Sequence, residues 1–172
     1  VKQRYQVPNG YTDYREMIAK ERPDIVSIAT RPGSHAQMTV FAAENGVKGI
    51  YCEKPLCCSM AEADAMVEAC EAHNVKFNYG TSRRFQANYR KMRALIEEGK
   101  IGDLKCVICH CGTSAAQWMH THTSDMMMHL AGDPEIEFVQ GHIAANESDL
   151  LLFVFAGGGP PCLCNLSNSV RA

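Results

Sequence analysis

Tyr51-Cys52-Glu53-Lys54-Pro55-Leu56 is a short apolar run that ends in an acid, a lysine and a proline. Upstream, Val47 to Cys52 reads as a buried strand. Downstream, Ser59-Met60-Ala61-Glu62 has the spacing of a capping box, in which a hydroxyl and a carboxylate satisfy backbone N–H groups of a first helical turn. Lys54 therefore falls in a strand-to-helix loop. In an open α/β sheet, ligands bind at such loops, beyond the carboxyl ends of the strands.

Working outward, strand and helix periods alternate. Tyr11 to Glu21 is helical in pattern, with Tyr14, Met17 and Ile18 on one face. Ile25 to Ala29 is a β-branched strand, and Ser34 to Asn45 a second helix closed by Gly46 as a left-handed cap. Ser59 to His73 is a third helix, with Met60, Ala63, Val67 and Cys70 as its expected buried stripe. Val75 to Tyr79 is the next strand. Strands separated by single helices imply βαβ units and a parallel sheet.

After Gly80 the rhythm changes. Ala87 to Glu98 reads as a helix with Tyr89, Met92, Leu95 and Ile96 along one stripe. Leu104 to Cys111, Glu137 to Ile143 and Leu150 to Phe155 read as strands, with a Met-rich helix near Ser124 to Leu130. Gly157-Gly158-Gly159-Pro160-Pro161 is a turn cluster. The expected division is residues 1–84 and residues 85–172.

The chain's 172 residues are 46% hydrophobic and 21% charged, enough to build a core. A net charge of −2 argues against nucleic acid or anionic lipid as a partner, even though Arg83, Arg84, Arg90, Lys91 and Arg93 interleave with Phe85 and Tyr89. No apolar run reaches membrane-spanning length, and Val1-Lys2-Gln3-Arg4 carries no apolar leader core. Nine cysteines without an export signal read as reduced, mostly buried thiols, which implies a cytoplasmic protein.

An ordered series of motifs resembles the glucose–fructose oxidoreductase, inositol dehydrogenase and MocA (Gfo/Idh/MocA) family. It comprises Asp24 to Thr30 followed by Arg31-Pro32-Gly33-Ser34-His35; Glu53-Lys54-Pro55; Asn78-Tyr79-Gly80 with Arg83-Arg84-Phe85; Glu98-Gly99-Lys100-Ile101-Gly102; and His122-Thr123-Ser124-Asp125 with His129-Leu130-Ala131-Gly132. The resemblance covers roughly residues 11–142. It implies an α/β fold: the C-terminal half of a Rossmann parallel sheet, followed by the start of an α+β domain with a mixed or antiparallel sheet. The family's glycine-rich strand–turn–helix has no counterpart here, so the chain is expected to be a fragment.

The resemblance further implies an oxidoreductase that moves a hydride between NAD or NADP and a sugar, polyol or related alcohol or carbonyl compound. It places Lys54 and His122 as catalytic residues. Thr30, Pro32, His35, Glu53, Lys54 and Arg84 fall at the cofactor, and Lys54, Asp125 and His122 at the substrate. A lysine of lowered pKa can take the hydroxyl proton and stabilise the developing alkoxide. A homo-oligomer formed through the second sheet is also expected.

Two other readings compete. Many dehydrogenating relatives carry an Asp four residues before the histidine, where this chain has Trp118, with His120 between. That departure suits a non-catalytic dinucleotide-binding regulator or scaffold. His122, Asp125 and His129, at helical offsets of three and seven, suit a divalent metal. The Met-rich setting favours a core helix instead, so no metal ligands are assigned.

Overall fold

The computed structural model describes residues 4–110, 116–142 and 150–165, with side chains for 4–110, 121–141 and 151–164. Two compact units divide the chain, Val1–Gly80 and Thr81–Ala172.

In the first unit, α1 (Tyr14–Glu21), β1 (Ile25–Ile28), α2 (His35–Glu44), β2 (Gly49–Cys52), α3 (Met60–Ala72) and β3 (Lys76–Tyr79) follow in order. The three strands form one parallel sheet in the order β1-β2-β3. Local chemistry marks the starts of α1 and α3 and the end of α2. Asp13 accepts from the Arg15 amide at the start of α1, and Ser59 accepts from the Glu62 amide at the start of α3. The Glu62 carboxylate reaches past the cap residue to the Cys58 amide, at 2.7 Å, a variant of the expected box. Gly46 closes α2 at φ +85, in the left-handed region.

Ile18, Val26, Ile28, Ala42, Ala43, Val47, Ile50, Cys52, Met66, Cys70 and Val75 form this unit's core. The expected stripe of α3 is corrected. Met60 and Val67 are 76% and 51% exposed, while Met66 and Cys70 are buried. At 3.6 residues per turn, Met60 and Val67 lie roughly 100° around the helix from Met66, which packs inward with Ala69 and Cys70.

The second unit contains α4 (Ala87–Glu97), β4 (Val107–His110), α5 (Ala116–Ala131), β5 (Ile136–His142), β6 (Leu150–Phe155) and β7 (Cys162–Asn165). Its sheet is mixed, in the order β4-β7-β6-β5, with β4 and β7 parallel and the other pairs antiparallel. β7 was not expected from the sequence. It is only four residues long, it follows two prolines, and its place between β4 and β6 is non-local. Its Cys162 and Cys164 are buried with Met127, Phe153 and Phe155 in the core beneath α5.

α5 also begins earlier than the Met-rich segment suggests. It runs as one helix from Ala116, so His122 lies in its interior. Met126 and Met127 are buried. The side chains of Trp118 and His120, and all of Cys111, lie outside the described residues.

Candidate functional site

The register of the first sheet aligns its carboxyl edge. Ile28 lies opposite Cys52, and Cys52 opposite Tyr79. Ala29-Thr30, Glu53-Lys54 and Gly80 therefore leave the sheet at one level, where ligands gather in open α/β folds.

Several contacts hold this edge together. The Glu53 amide donates to the Ile28 carbonyl at 2.9 Å, and the Gly80 amide to the Cys52 carbonyl at 2.8 Å. A Cβ at Gly80 would lie 3.2 Å from the Cys52 oxygen, the Glu53 Cα and the Tyr51 hydroxyl, so any side chain here would push the two backbones apart by a few tenths of an ångström. The Glu53 carboxylate accepts from the Lys54 amide at 3.0 Å, which fixes the acid beside the lysine. Lys54 is half-buried and precedes a buried proline through a cis peptide bond.

Thr30 and Ser34 hydroxyls are 2.8 Å apart, and Ser34 donates back to the Arg31 carbonyl at 3.0 Å, closing the loop before α2. Pro32 opens the short 3₁₀ turn there, where its fixed φ suits a first helical position. His35 is fully buried. Its Nδ1 faces the Leu56 carbonyl and its Nε2 the Thr30 carbonyl, both at 3.1 Å. The sequence placed His35 beside a cofactor; the structure places it beneath the two loops, joining them.

In the second unit, His122, Asp125 and His129 share α5. Arg84 and Asp125, expected at cofactor and substrate, are bound to each other. The Arg84 Nε donates to Asp125 Oδ1 at 2.8 Å, and its terminal nitrogens reach both oxygens of Asp133 at 3.0 and 3.2 Å. The Asp125 carboxylate raises the Arg84 pKa, desolvation opposes it, and Asp133 adds to the rise. Among the described residues, no group of three or more His, Cys, Asp or Glu side chains is placed to hold a metal ion.

The donor set at the sheet edge fits a nicotinamide dinucleotide. Hydroxyls of Thr30 and Ser34, the Glu53 carboxylate and the Lys54 ammonium are groups that hold ribose hydroxyls and a carboxamide. Residues 1–81 match the model of the GFO_IDH_MocA family, described as an oxidoreductase family with an NAD-binding Rossmann fold. Over these residues the chain is similar to this family.

Curated proteins resemble the chain along part of its length. Myo-inositol 2-dehydrogenase of Thermotoga maritima is 31% identical over 102 residues, which are 59% of this chain and 30% of that protein. The 2,7-anhydro-N-acetylneuraminate hydratase of Mediterraneibacter gnavus is 35% identical over 99 residues, 58% of this chain and 26% of that protein. The chain thus spans about a third or less of these curated relatives.

The fold is shared over nearly all of the chain. An Agrobacterium radiobacter oxidoreductase, solved with NAD+, L-tartaric acid and magnesium, superposes with a TM-score of 0.82 at 20% identity. It covers 99% of this chain and 56% of its own. The family's cofactor is a nicotinamide dinucleotide, NAD or NADP.

Proposed function

We propose that the protein is an NAD(P)-dependent oxidoreductase acting on the CH–OH group of a sugar, polyol or related alcohol, or on the matching carbonyl. The observation that carries this reading is the in-register carboxyl edge, which delivers Lys54 and Glu53 together with Thr30 and Gly80. Bound there, the dinucleotide supplies the hydride acceptor or donor.

Lys54 takes or returns the hydroxyl proton, and its positive form stabilises negative charge developing on the substrate oxygen. Glu53 orients the Lys54 backbone through its amide and presents a carboxylate for a ribose hydroxyl. Thr30 and Pro32 shape the neighbouring rim, and His35 keeps that rim joined to the Lys54 loop. His122 is the second proton-carrying group, on a rigid helix whose inner face is buried. The relatives named for myo-inositol and for an anhydro-sugar acid support a polyhydroxylated substrate.

The face of the second sheet that lies away from α5, exposed among the described residues, supports a homo-oligomer. Ile108 and Phe138 are 55% and 48% exposed, and the register sets Leu163, Leu152 and Val154 on the same face. No described helix is long and apolar enough to cross a membrane. A cytoplasmic setting follows from the reading of the thiols as reduced.

The test is reduced-cofactor absorbance on the full-length protein with a panel of sugars and polyols. Turnover is expected to fall by about a hundredfold or more in Lys54→Ala and in His122→Gln. Dinucleotide binding without turnover on any substrate would instead establish a non-catalytic binder, the reading that Trp118 favours.

A further inference from the structure

We propose that Arg84 is the positioning residue of α5: its guanidinium grips Asp125 and Asp133 and so fixes the helix that carries His122. This rests on the reading of His122 given above.

All three guanidinium nitrogens take part. Nε and one terminal nitrogen close on Asp125 Oδ1, and that terminal nitrogen also donates to the Asp125 carbonyl at 3.3 Å. The two terminal nitrogens straddle the Asp133 carboxylate. A lysine's three donors radiate from one atom and lack the planar fork that spans the two carboxylates. Arg84 and Asp125 side chains are only 23% and 12% exposed, so solvent competes weakly.

The grip falls at two levels of α5. Asp125 stands one turn after His122, on its face. Asp133 lies just beyond the helix end, at φ +51, with its amide closing on the Met128 carbonyl at 2.8 Å. Holding both levels resists rotation as well as sliding. Arg93 adds a third point, donating to the His129 carbonyl at 2.5 Å while its Nε pairs with Glu97. Two cations at the carboxyl half of α5 also complement its dipole.

Charge makes the grip legible at His122. Paired Asp125 is neutralised by Arg84. Without Arg84, its negative charge would act on the imidazole one turn away; without Asp125, the arginine charge would act instead. Among the described residues, the other charged and titratable groups in this network are His129, Asp133, Arg93 and Glu97. Of these, Asp133 loses its partner in Arg84→Met, which adds to the upward shift, and keeps it in Asp125→Asn.

The experiment uses full-length protein without dinucleotide or substrate, with folding checked by circular dichroism. Amide exchange across α5 and the histidine ring resonances are read for Arg84→Met, Arg84→Lys, Asp125→Asn and the double variant Arg84→Met/Asp125→Asn. Exchange in α5 is expected to rise about tenfold or more in Arg84→Met, and in Arg84→Lys, which keeps the charge but not the fork. The His122 titration midpoint is expected to move up in Arg84→Met, down in Asp125→Asn, and back toward the parent in the double variant.

Unchanged α5 exchange in both Arg84 variants would overturn the proposal, as would midpoint shifts of the same sign in the two single variants. A residue needed only for the cofactor would move neither readout. If His122→Gln kept full turnover, the proposed catalytic role would fall while these measurements still stood.

Discussion

The His35 ring bridges two loops: its Nδ1 lies 3.1 Å from the Leu56 carbonyl and its Nε2 3.1 Å from the Thr30 carbonyl. Leu56 is two residues past Lys54, and Thr30 two past the end of β1. One buried side chain therefore sets the spacing of the rim. His35→Ala would leave a cavity and remove the ring N–H that donates to a loop carbonyl, at a cost of about 2–4 kcal/mol. Urea unfolding should show this as a lower midpoint at unchanged slope. A midpoint within error of the parent would refute the bridging role.

Gly80→Ala tests the close approach of β3 to β2. The added methyl would crowd the Cys52 oxygen and the Glu53 Cα, which are backbone and cannot rotate away. The loss should be about 1–3 kcal/mol, and dinucleotide affinity should weaken with it, because the displaced backbone leads into Lys54. By contrast, Gly33→Ala meets nothing within 4 Å and should be nearly neutral, so the two thermal midpoints provide an internal control.

Alkaline pH should weaken the fold through its buried thiols. Burial pushes the Cys52 thiol up to about 11, helped by Cys57 and Glu53; burial also pushes Cys162 up to about 11, with Cys106 adding. An unfolded thiol ionises near about 8.5. The folded form holds its proton more tightly, so this contribution is complete below that pH and is lost as pH rises toward 11. Each thiol should account for about 3 kcal/mol, one pKa unit being about 1.4 kcal/mol. Urea titrations from pH 7 to 11 should show the fall, and Cys52→Ala should flatten it. At pH 8, iodoacetamide should label exposed Cys58 and Cys106 well before buried Cys70, Cys162 and Cys164.

Association through the open sheet face predicts that Phe138→Glu combined with Ile108→Lys yields monomers, read by light scattering. Both positions are exposed in the single chain, so the substitutions should cost less than about 1 kcal/mol of subunit stability. Persistence of the parent's mass would rule this face out.

The sequence alone determined the α/β alternation, the parallel sheet, the loop position of Lys54 and the resemblance to the family, because these rest on local periodicity, caps and short motifs. Asp13, Ser59 and Gly46 mark helix ends through contacts within a few residues, which is why they were legible. Only the tertiary structure decided that β7 inserts between β4 and β6, that Met66 rather than Met60 faces the core, and that His35 joins two loops from below. It also turned Arg84 toward Asp125 and Asp133, 41 and 49 residues away. Such pairings depend on which surfaces meet when elements pack, and a linear pattern carries the propensity of each element but not its partner.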